Sequence, residues 1–424
     1  MDLETRVGSV EQIIDTGAVH PVFQPIVELS TRRIVGVEAL TRGPAGSPLH
    51  YPDALFAAAN QAGMLHELDT MCAALAIEGF NAHRGSLPPL LFVNSEPGAL
   101  TKPPTPALRA ALANQRDYRI VMELTERTLA ANPTGLLQVA QMCHAVGNAL
   151  ALDDVGADPL SLAFLPLIEP EVVKLDMHLL RDPTSADTIA TVAGVGAYAQ
   201  RTGAVVLAEG IETEYDLATA TALGATWGQG FFFGKPGPLQ NLAGRPMNAQ
   251  ARLRAAQPGL HHVAGTLFTT ASAAHPPRQV SRHVAAAFAD HLLQEATTAG
   301  QHGVVLAMNQ DPESFDQSLP RLAQIAARVG FTGVVRPPGS APAPDGVRQT
   351  IDDTLSTERF EAALVVVRPG AAAALCLRRL PDPDMVELVL SHDPTVVHGL
   401  ARMLLGQLGT RFEFPAVVGG PRSA

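Results

Sequence analysis

Two adjacent carboxylates, Asp153 and Asp154, close the short apolar run Ala149-Leu150-Ala151-Leu152 and are followed at once by Val155-Gly156. An apolar run without alternation reads as a buried parallel strand. Carboxylates at its C-terminal end lie where α/β sheets and barrels place their chemistry. The arrangement recurs along the first half of the chain. Ile34-Val35-Gly36-Val37 runs into Glu38, Leu90-Leu91-Phe92-Val93 into Asn94, and Ile120-Val121-Met122 into Glu123 with Glu126 just beyond. Val205-Val206-Leu207-Ala208 runs into Glu209, with Glu212 shortly after. Lys174 and Asp176 stand two residues apart in Val172–Asp176, so a strand would turn both to one face.

Carboxylates gathered in one pocket repel each other, and each costs several kcal/mol to desolvate if left unpaired. Lys174 and Arg42 are too few to neutralise this set. Divalent cations can. Oxygen ligands without Cys or His favour Mg²⁺, Mn²⁺ or Ca²⁺ over Zn²⁺. Neighbouring carboxylates such as Asp153 and Asp154 can bridge two ions roughly 3.5–4 Å apart, an arrangement that activates water against phosphate esters.

The elements that must position these residues follow from their spacing. Each apolar run is about a strand plus a helix from the next, which predicts a (β/α) barrel. Ser9-Val10-Glu11-Gln12 has capping-box spacing and predicts a short helix before a strand near Val22. Tyr51–Phe80 reads as paired helices outside the barrel, and Pro103–Pro106 as a loop. From Gly237 to about Arg278 the alternation lapses; this stretch predicts a linker with an amphipathic helix near Asn248–Ala256. A second α/β pattern then begins, with helices at Val280–Glu295, Ser318–Val329 and Thr395–Leu408. Its strands are expected at Val304–Met308, Gly333–Val335, Ala362–Val367, Ala371–Leu377 and Val386–Ser391. Strands this close together, with helices at either end, predict a smaller α+β sensor domain rather than a second barrel.

Composition narrows the function. A chain of 424 residues should hold two or three domains, and 46% hydrophobic content supports folded cores. A net charge of −11 argues against a non-specific nucleic-acid binder. Cys72, Cys143 and Cys376 are scattered, as expected of buried thiols in a reducing cytoplasm. No apolar run reaches the length of a membrane span, and Met1–Val10 is charged rather than signal-like. Gly194-Val195-Gly196-Ala197-Tyr198-Ala199 fits G-x-G-x-x-A but sits in a helical run before a strand, so helix packing accounts for it better than a dinucleotide site. His261-His262 has no third ligand nearby, and His392-Asp393-Pro394 reads as a turn and helix cap.

Val37-Glu38-Ala39-Leu40-Thr41-Arg42 resembles the signature of the EAL-domain cyclic-di-GMP phosphodiesterases. The resemblance runs over residues 10–240 and includes Phe23-Gln24-Pro25, Asn94, Glu123-Leu124-Thr125-Glu126, Leu152-Asp153-Asp154, Lys174-Leu175-Asp176, Glu209-Gly210-Ile211-Glu212-Thr213 and Gln229-Gly230-Phe231. It implies a TIM-like (β/α) barrel of EAL type over 1–240, then a linker over 241–278. The smaller domain over 279–414 resembles the DICT sensory domain on Val386–Asp393, with a flexible tail at 415–424. The family's first metal site maps onto Glu38, Asn94, Glu123 and Asp153, and its second onto Asp153, Asp154 and Glu209, for two Mg²⁺ or Mn²⁺ ions. Lys174 matches the lysine that orients the attacking water, Asp176 would hold Lys174 or that water, and Glu209 is a candidate general base beside Asp154. Gln24, Leu40, Arg42 and Gln229 would contact substrate, with Glu126 and Glu212 bracing loops.

The activity so implied is hydrolysis of cyclic-di-GMP to linear pGpG under control of the C-terminal domain; the alternative is a receptor that binds it without useful turnover. Expected partners are cyclic-di-GMP, a ligand or protein at the C-terminal domain, and a second copy of the chain. One departure stands out. Active members usually continue the two aspartates with Phe-Gly-Thr-Gly-Tyr-Ser-Ser, whereas this chain has Val155-Gly156-Ala157-Asp158-Pro159-Leu160-Ser161. Pro159 restricts itself and Asp158, which bears on rate and dimer mode.

Overall fold

The computed structural model of the chain describes residues 8–83, 87–96, 102–113, 117–125, 132–157, 160–256, 265–352 and 360–409. Helix α1 (Val10–Thr16), capped by Ser9 and ended by Gly17 at φ 63°, leads into the first strand. Eight strands then close a barrel: β1 (His20–Glu28), β2 (Ile34–Arg42), β3 (Leu90–Asn94), β4 (Arg119–Thr125), β5 (Ala149–Val155), β6 (Val172–Leu175), β7 (Val205–Ala208) and β8 (Trp227–Gln229). Strands β2 to β8 run parallel, while β1 is antiparallel to both β2 and β8. The expected strand–helix repeat therefore fails at its first step. Only the few residues between Glu28 and Ile34 join β1 to β2, enough for a hairpin and far too few for a parallel crossover. Pairing with β1 also carries β2 past Glu38 to Arg42, so Glu38 lies within the strand rather than at its end.

Around the barrel lie α2 (Pro52–Gln61), α3 (Leu65–Asn81), α4 (Pro106–Ala113), α5 (Pro133–Ala145), α6 (Ser161–Ile168), α7 (Met177–Arg181), α8 (Ala186–Thr202) and α9 (Glu214–Ala222). Gly194 of α8 packs against α6: a Cβ there would sit 3.2 Å from Leu162. Inside the barrel, Ile26, Phe92, Val121, Ala151, Val172, Leu207 and Trp227 form one apolar layer. Strand side chains repeat every second residue, so the next inward position on each strand lies one layer closer to the mouth. Those positions are Gln24, Asn94, Glu123, Asp153, Lys174, Glu209 and Gln229, joined by Glu38 two residues beyond Gly36.

The stretch expected to be a linker is built into both halves. Gly237 pairs with Phe23 and Met247 with Ile34. Ala251 and Leu253 enter the apolar layer, and Arg254 donates to the carbonyls of Glu169 and Pro170. No helix forms at 248–256; residues 251–256 are irregular. Ala251 and Leu253 reach the barrel floor at extended, two-residue spacing, and Asn248 N–H is bonded to Ile34 O at 2.8 Å.

Beyond it come α10 (Leu267–Ala274) and a short strand, β9 (Arg278–Ser281). The helix expected from Val280 starts at Arg282 because β9 pairs with the sheet edge and Ser281 caps the helix. This α11 (Arg282–Ala299) and α12 (Pro312–Ala326) cover one face of a seven-stranded sheet. Its order is β12 (Val347–Ile351), β11 (Phe331–Arg336), β10 (Val304–Asn309), β13 (Glu361–Arg368), β14 (Ala371–Arg379), β15 (Met385–Ser391) and β9. Helices α10 and α13 (Pro394–Leu405) cover the other face, and Asp393 caps α13 as expected.

Helix α13 lies between this sheet and the barrel helices α5 and α6, inside one apolar cluster that spans both halves. Phe164 of α6 meets Phe331 edge-on at 5.8 Å, and Thr134 Oγ1 donates to Leu405 O at 2.7 Å. Arg402, 6% exposed, donates to Leu167 O at 2.8 Å, Pro166 O at 2.8 Å and Glu169 Oε1 at 2.7 Å. It thus satisfies carbonyls at the C-terminal end of α6 that the helix itself leaves open. Among the described residues no helix is long and apolar enough to cross a membrane. Arg402→Ala, which strips these partners from buried groups, should lower stability by about 2–4 kcal/mol in urea denaturation; an unchanged midpoint would show that Arg402 is not what holds α13 to α6.

Candidate active site

The polar layer at the barrel mouth is organised by one ammonium. Lys174 Nζ lies 2.8 Å from Glu209 Oε1, 2.9 Å from Glu123 Oε1, 3.0 Å from Asp153 Oδ1 and 3.7 Å from Glu38 Oε2. Strand β6 places it there: two residues beyond Val172 of the apolar layer, it is 1% exposed. Burial alone would lower the lysine's pKa, but Asp153, Glu123, Glu209 and Glu38 outweigh it and hold the ammonium well above its ordinary value. Lys174 therefore makes ion pairs with four carboxylates; Asp176, expected on its face, is elsewhere. Asp176 caps α7, accepting from His178 N–H at 2.7 Å, because β6 ends at Leu175 and the strand face ends with it.

One cation does not balance the cluster. Glu123 rises well above the usual carboxylate range, chiefly through burial and then through Glu38. Burial likewise pushes Glu209 up to about 8, against the pull of Lys174. Glu38 goes the other way: burial opposes ionisation, but Lys174, Asn94 and Gln229 together leave it below its ordinary value. Asn94 Nδ2 donates to Glu38 Oε1 at 2.8 Å and Gln229 Nε2 to Glu38 Oε2 at 2.7 Å. Gln229 also donates to Gln24 Oε1 at 3.1 Å, and Gln24 to Gly234 O at 3.1 Å. Gln229 ends β8, and with Gln24 it spans the barrel seam between β8 and β1.

Asp153 and Asp154 would point to opposite faces of a regular strand. Strand β5 avoids this with an extra residue: Leu152 pairs with Val173 and Val155 with Leu175, three steps on β5 against two on β6. Such bulges re-aim side chains beside active sites. Asp154 takes φ 56°, a left-handed conformation that aspartate tolerates better than most residues, and its N–H donates to Asp153 Oδ1. Asp153, Asp154 and Glu209 consequently offer oxygen atoms within 4.8 Å of one another. Glu123 Oε2, buried without a hydrogen-bond partner among the described residues, adds an orphaned acceptor nearby. An oxygen-only donor set with surplus negative charge fits a hard divalent cation.

The rim is more open. Arg42 is half-buried, donates to Thr41 O at 2.8 Å and lies 6.0 Å over the Tyr51 ring. Leu40, opposite Val22, is half-buried beside it. The side chain of Glu212 is about half exposed, 3.9 Å from Arg181. Glu126, Asp158, Pro159 and His261-His262 lie outside the described residues.

Two supporting carboxylates went unread in the sequence. Asp216, 2% exposed, accepts from the N–H groups of Glu212 and Thr213 and pairs with Arg181, fixing the loop that carries Glu209. The spacing Thr213-x-x-Asp216 was its available signal, a capping box that the structure completes. Asp69 on α3 accepts from Glu96 N–H at 2.9 Å and Ser95 Oγ at 3.4 Å, holding the turn just past Asn94. Its signal was an acidic residue on the buried side of α3, beside Leu68 and His66.

Residues 8–236 match the family described as "EAL domain". A relative named "probable cyclic di-GMP phosphodiesterase PdeB", from Escherichia coli, is 28% identical over 226 residues, 52% of this chain and 43% of the relative. The "bifunctional diguanylate cyclase/cyclic di-GMP phosphodiesterase MucR" of Pseudomonas aeruginosa is 26% identical over 234 residues, 52% of this chain and 33% of the relative. The chain thus spans less than half the length of these curated relatives. A manganese and cyclic-di-GMP complex of BlrP1 from Klebsiella pneumoniae is 29% identical, with a TM-score of 0.45, covering 52% of this chain and 56% of that one.

Two outcomes test this geometry. In the presence of EDTA, Lys174→Met should cost about 3–5 kcal/mol in urea denaturation, because it leaves four carboxylates without their shared cation; an unchanged midpoint would mean the ammonium does not hold them. Asp69 is raised by burial from 3.8 to about 7, so the folded state binds its proton more tightly than the unfolded chain. Its contribution is complete below about pH 4 and is lost as pH rises through 7. Asp69→Asn should therefore gain in melting temperature over the wild type on going from pH 5.5 to 8.5, and a difference independent of pH would refute the shift.

Proposed function

Because the chain belongs to the EAL domain family, matched over residues 8–236, we propose that its barrel hydrolyses one phosphodiester bond of cyclic-di-GMP to give linear pGpG. The observation that carries this reading is the cluster of Glu38, Glu123, Asp153, Asp154 and Glu209 at one barrel mouth, with a single buried ammonium among them. Glu38, Asn94, Glu123, Asp153, Asp154 and Glu209 are the residues that would hold two divalent ions, Mg²⁺ or Mn²⁺. When bound, such ions supply Lewis acidity to a phosphate ester and to the water that attacks it.

The chain's own groups do the rest. Lys174 fixes Glu209 and Asp153 and orients the attacking water. Glu209 accepts a proton from that water as its oxygen bonds to phosphorus. The P–O bond to one ribose then breaks; the departing oxygen takes up a proton from solvent, and Glu209 gives its own back to solvent. Arg42, with donors free of Thr41 and its guanidinium steadied by Tyr51, suits a phosphate oxygen at the rim. The contact of Arg402 with the end of α6, the helix that follows the Asp153–Asp154 segment, gives the C-terminal domain a route to tune this site.

A receptor that binds cyclic-di-GMP without useful turnover is the second reading, favoured by the altered sequence Val155–Ser161 beside the aspartates. Incubation with cyclic-di-GMP and Mn²⁺, with products separated by chromatography, distinguishes the two. The expected outcome is pGpG formation abolished by EDTA and reduced at least a hundredfold in Glu38→Ala and Asp153→Ala, on the scale of losing preorganised charge stabilisation. Tight binding without product would establish the receptor instead.

A further inference from the structure

Where the C-terminal sheet docks on the barrel, a small cavity of about 40 Å³ remains between Leu162 and Tyr198 on one side and Gly370 and His398 on the other. That exceeds the roughly 10–15 Å³ needed to hold one ordered water, and the cleft is partly open to solvent. Its charged lining is cationic: Arg201 comes from α8 and Arg368 from the β13–β14 hairpin. Arg368 pairs with Glu295 at 3.2 Å, which leaves further donors of its guanidinium fork. Arg201 lies 5.8 Å over the Tyr198 ring and meets no carboxylate among the described residues. His398 lines the same space at 8% exposure, and no described residue accepts from or donates to its ring.

We propose that this cleft is a binding site for a free small oxyanion, of the phosphate or sulfate type, held jointly by Arg201 of the barrel and Arg368 of the C-terminal domain. Both guanidinium groups line this space, and an anion between them would make a charge-assisted contact with each. Burial, then Arg402 and Arg201, press His398 down to about 3, with Asp393 opposing weakly, so the ring is neutral at pH 7. Because each half of the molecule contributes one cation, occupancy would tighten the docking of one on the other. The assigned ligand is the free anion, and the monoester arm of the test distinguishes it from an esterified phosphate.

The test is thermal unfolding of the full chain, kept in EDTA, with millimolar inorganic phosphate against chloride of matched ionic strength. Glycerol 2-phosphate serves as the monoester arm. Phosphate should raise the melting temperature saturably, and Arg201→Ala, an exposed position that folding tolerates, should weaken its binding about tenfold or more. The His398 ring resonances should titrate at higher pH with phosphate present, a response that a merely structural arginine would not produce. A phosphate effect equal in wild type and Arg201→Ala would place the anion elsewhere, at the barrel mouth for example, and overturn the proposal. No shift beyond the chloride control would also overturn it, and an equal shift with glycerol 2-phosphate would refute the free-anion assignment.

Discussion

A single buried ammonium in contact with four carboxylates sets the terms for this barrel. Lys174 cannot be lost without leaving the buried Glu123 and Glu38 beside no cation among the described residues. It cannot suffice either, since Glu123 and Glu209 remain hard to ionise beside it. The site is therefore held in register by an interaction that is satisfied in geometry and unsatisfied in charge. That combination is what a cation-dependent centre needs: a preformed cage that does not collapse, and a residual field that attracts divalent ions. The seam between β8 and β1 serves the same end. There Gln229, which also bonds to Gln24, donates to Glu38 Oε2, the oxygen that Lys174 approaches.

The second organising contact lies on the outside. Helix α6 contains Pro166 and ends at Glu169 with φ 55°, so its last carbonyls are open. Arg402 reaches across from α13 to take them up. The two halves are thus joined by directed hydrogen bonds at a helix end as well as by apolar burial. Directed bonds are sensitive to small rotations in a way that apolar contact is not, and this helix follows directly on the segment that carries Asp153 and Asp154.

Much of the site could be read in the sequence because period-two alternation acts on every strand alike. Phe92 then Asn94, Val121 then Glu123, Ala151 then Asp153, Val172 then Lys174 and Leu207 then Glu209 all state one rule, an apolar layer followed by a polar one. The bulge that brings Asp154 beside Asp153 was not legible, because a one-residue shift leaves no mark in composition. Nor was the partner of Asp176, since a strand's end decides whether a face continues. The β1–β2 hairpin was obscured by the length of its strands, and β9 by its polar makeup, Arg278-Gln279-Val280-Ser281, which only a sheet edge makes sense of. Asp69 and Asp216 were hidden for a different reason: their function is to hold backbone amides, and no spacing of chemical groups records which amides come near.

Residues 237–256 carry a consequence for modularity. The recognisable family sequence ends at 236, yet the barrel's floor is supplied by Ala251 and Leu253. Its underside is tied by Arg254, which lies 3.7 Å from the fully buried Glu171. The stretch that matches the family and the stretch that packs as the barrel therefore have different ends. In this chain a barrel cut at the end of its family sequence would leave the apolar layer uncovered where Ala251 and Leu253 now pack, so the barrel's packing continues into a tail that looks, in sequence, like a spacer.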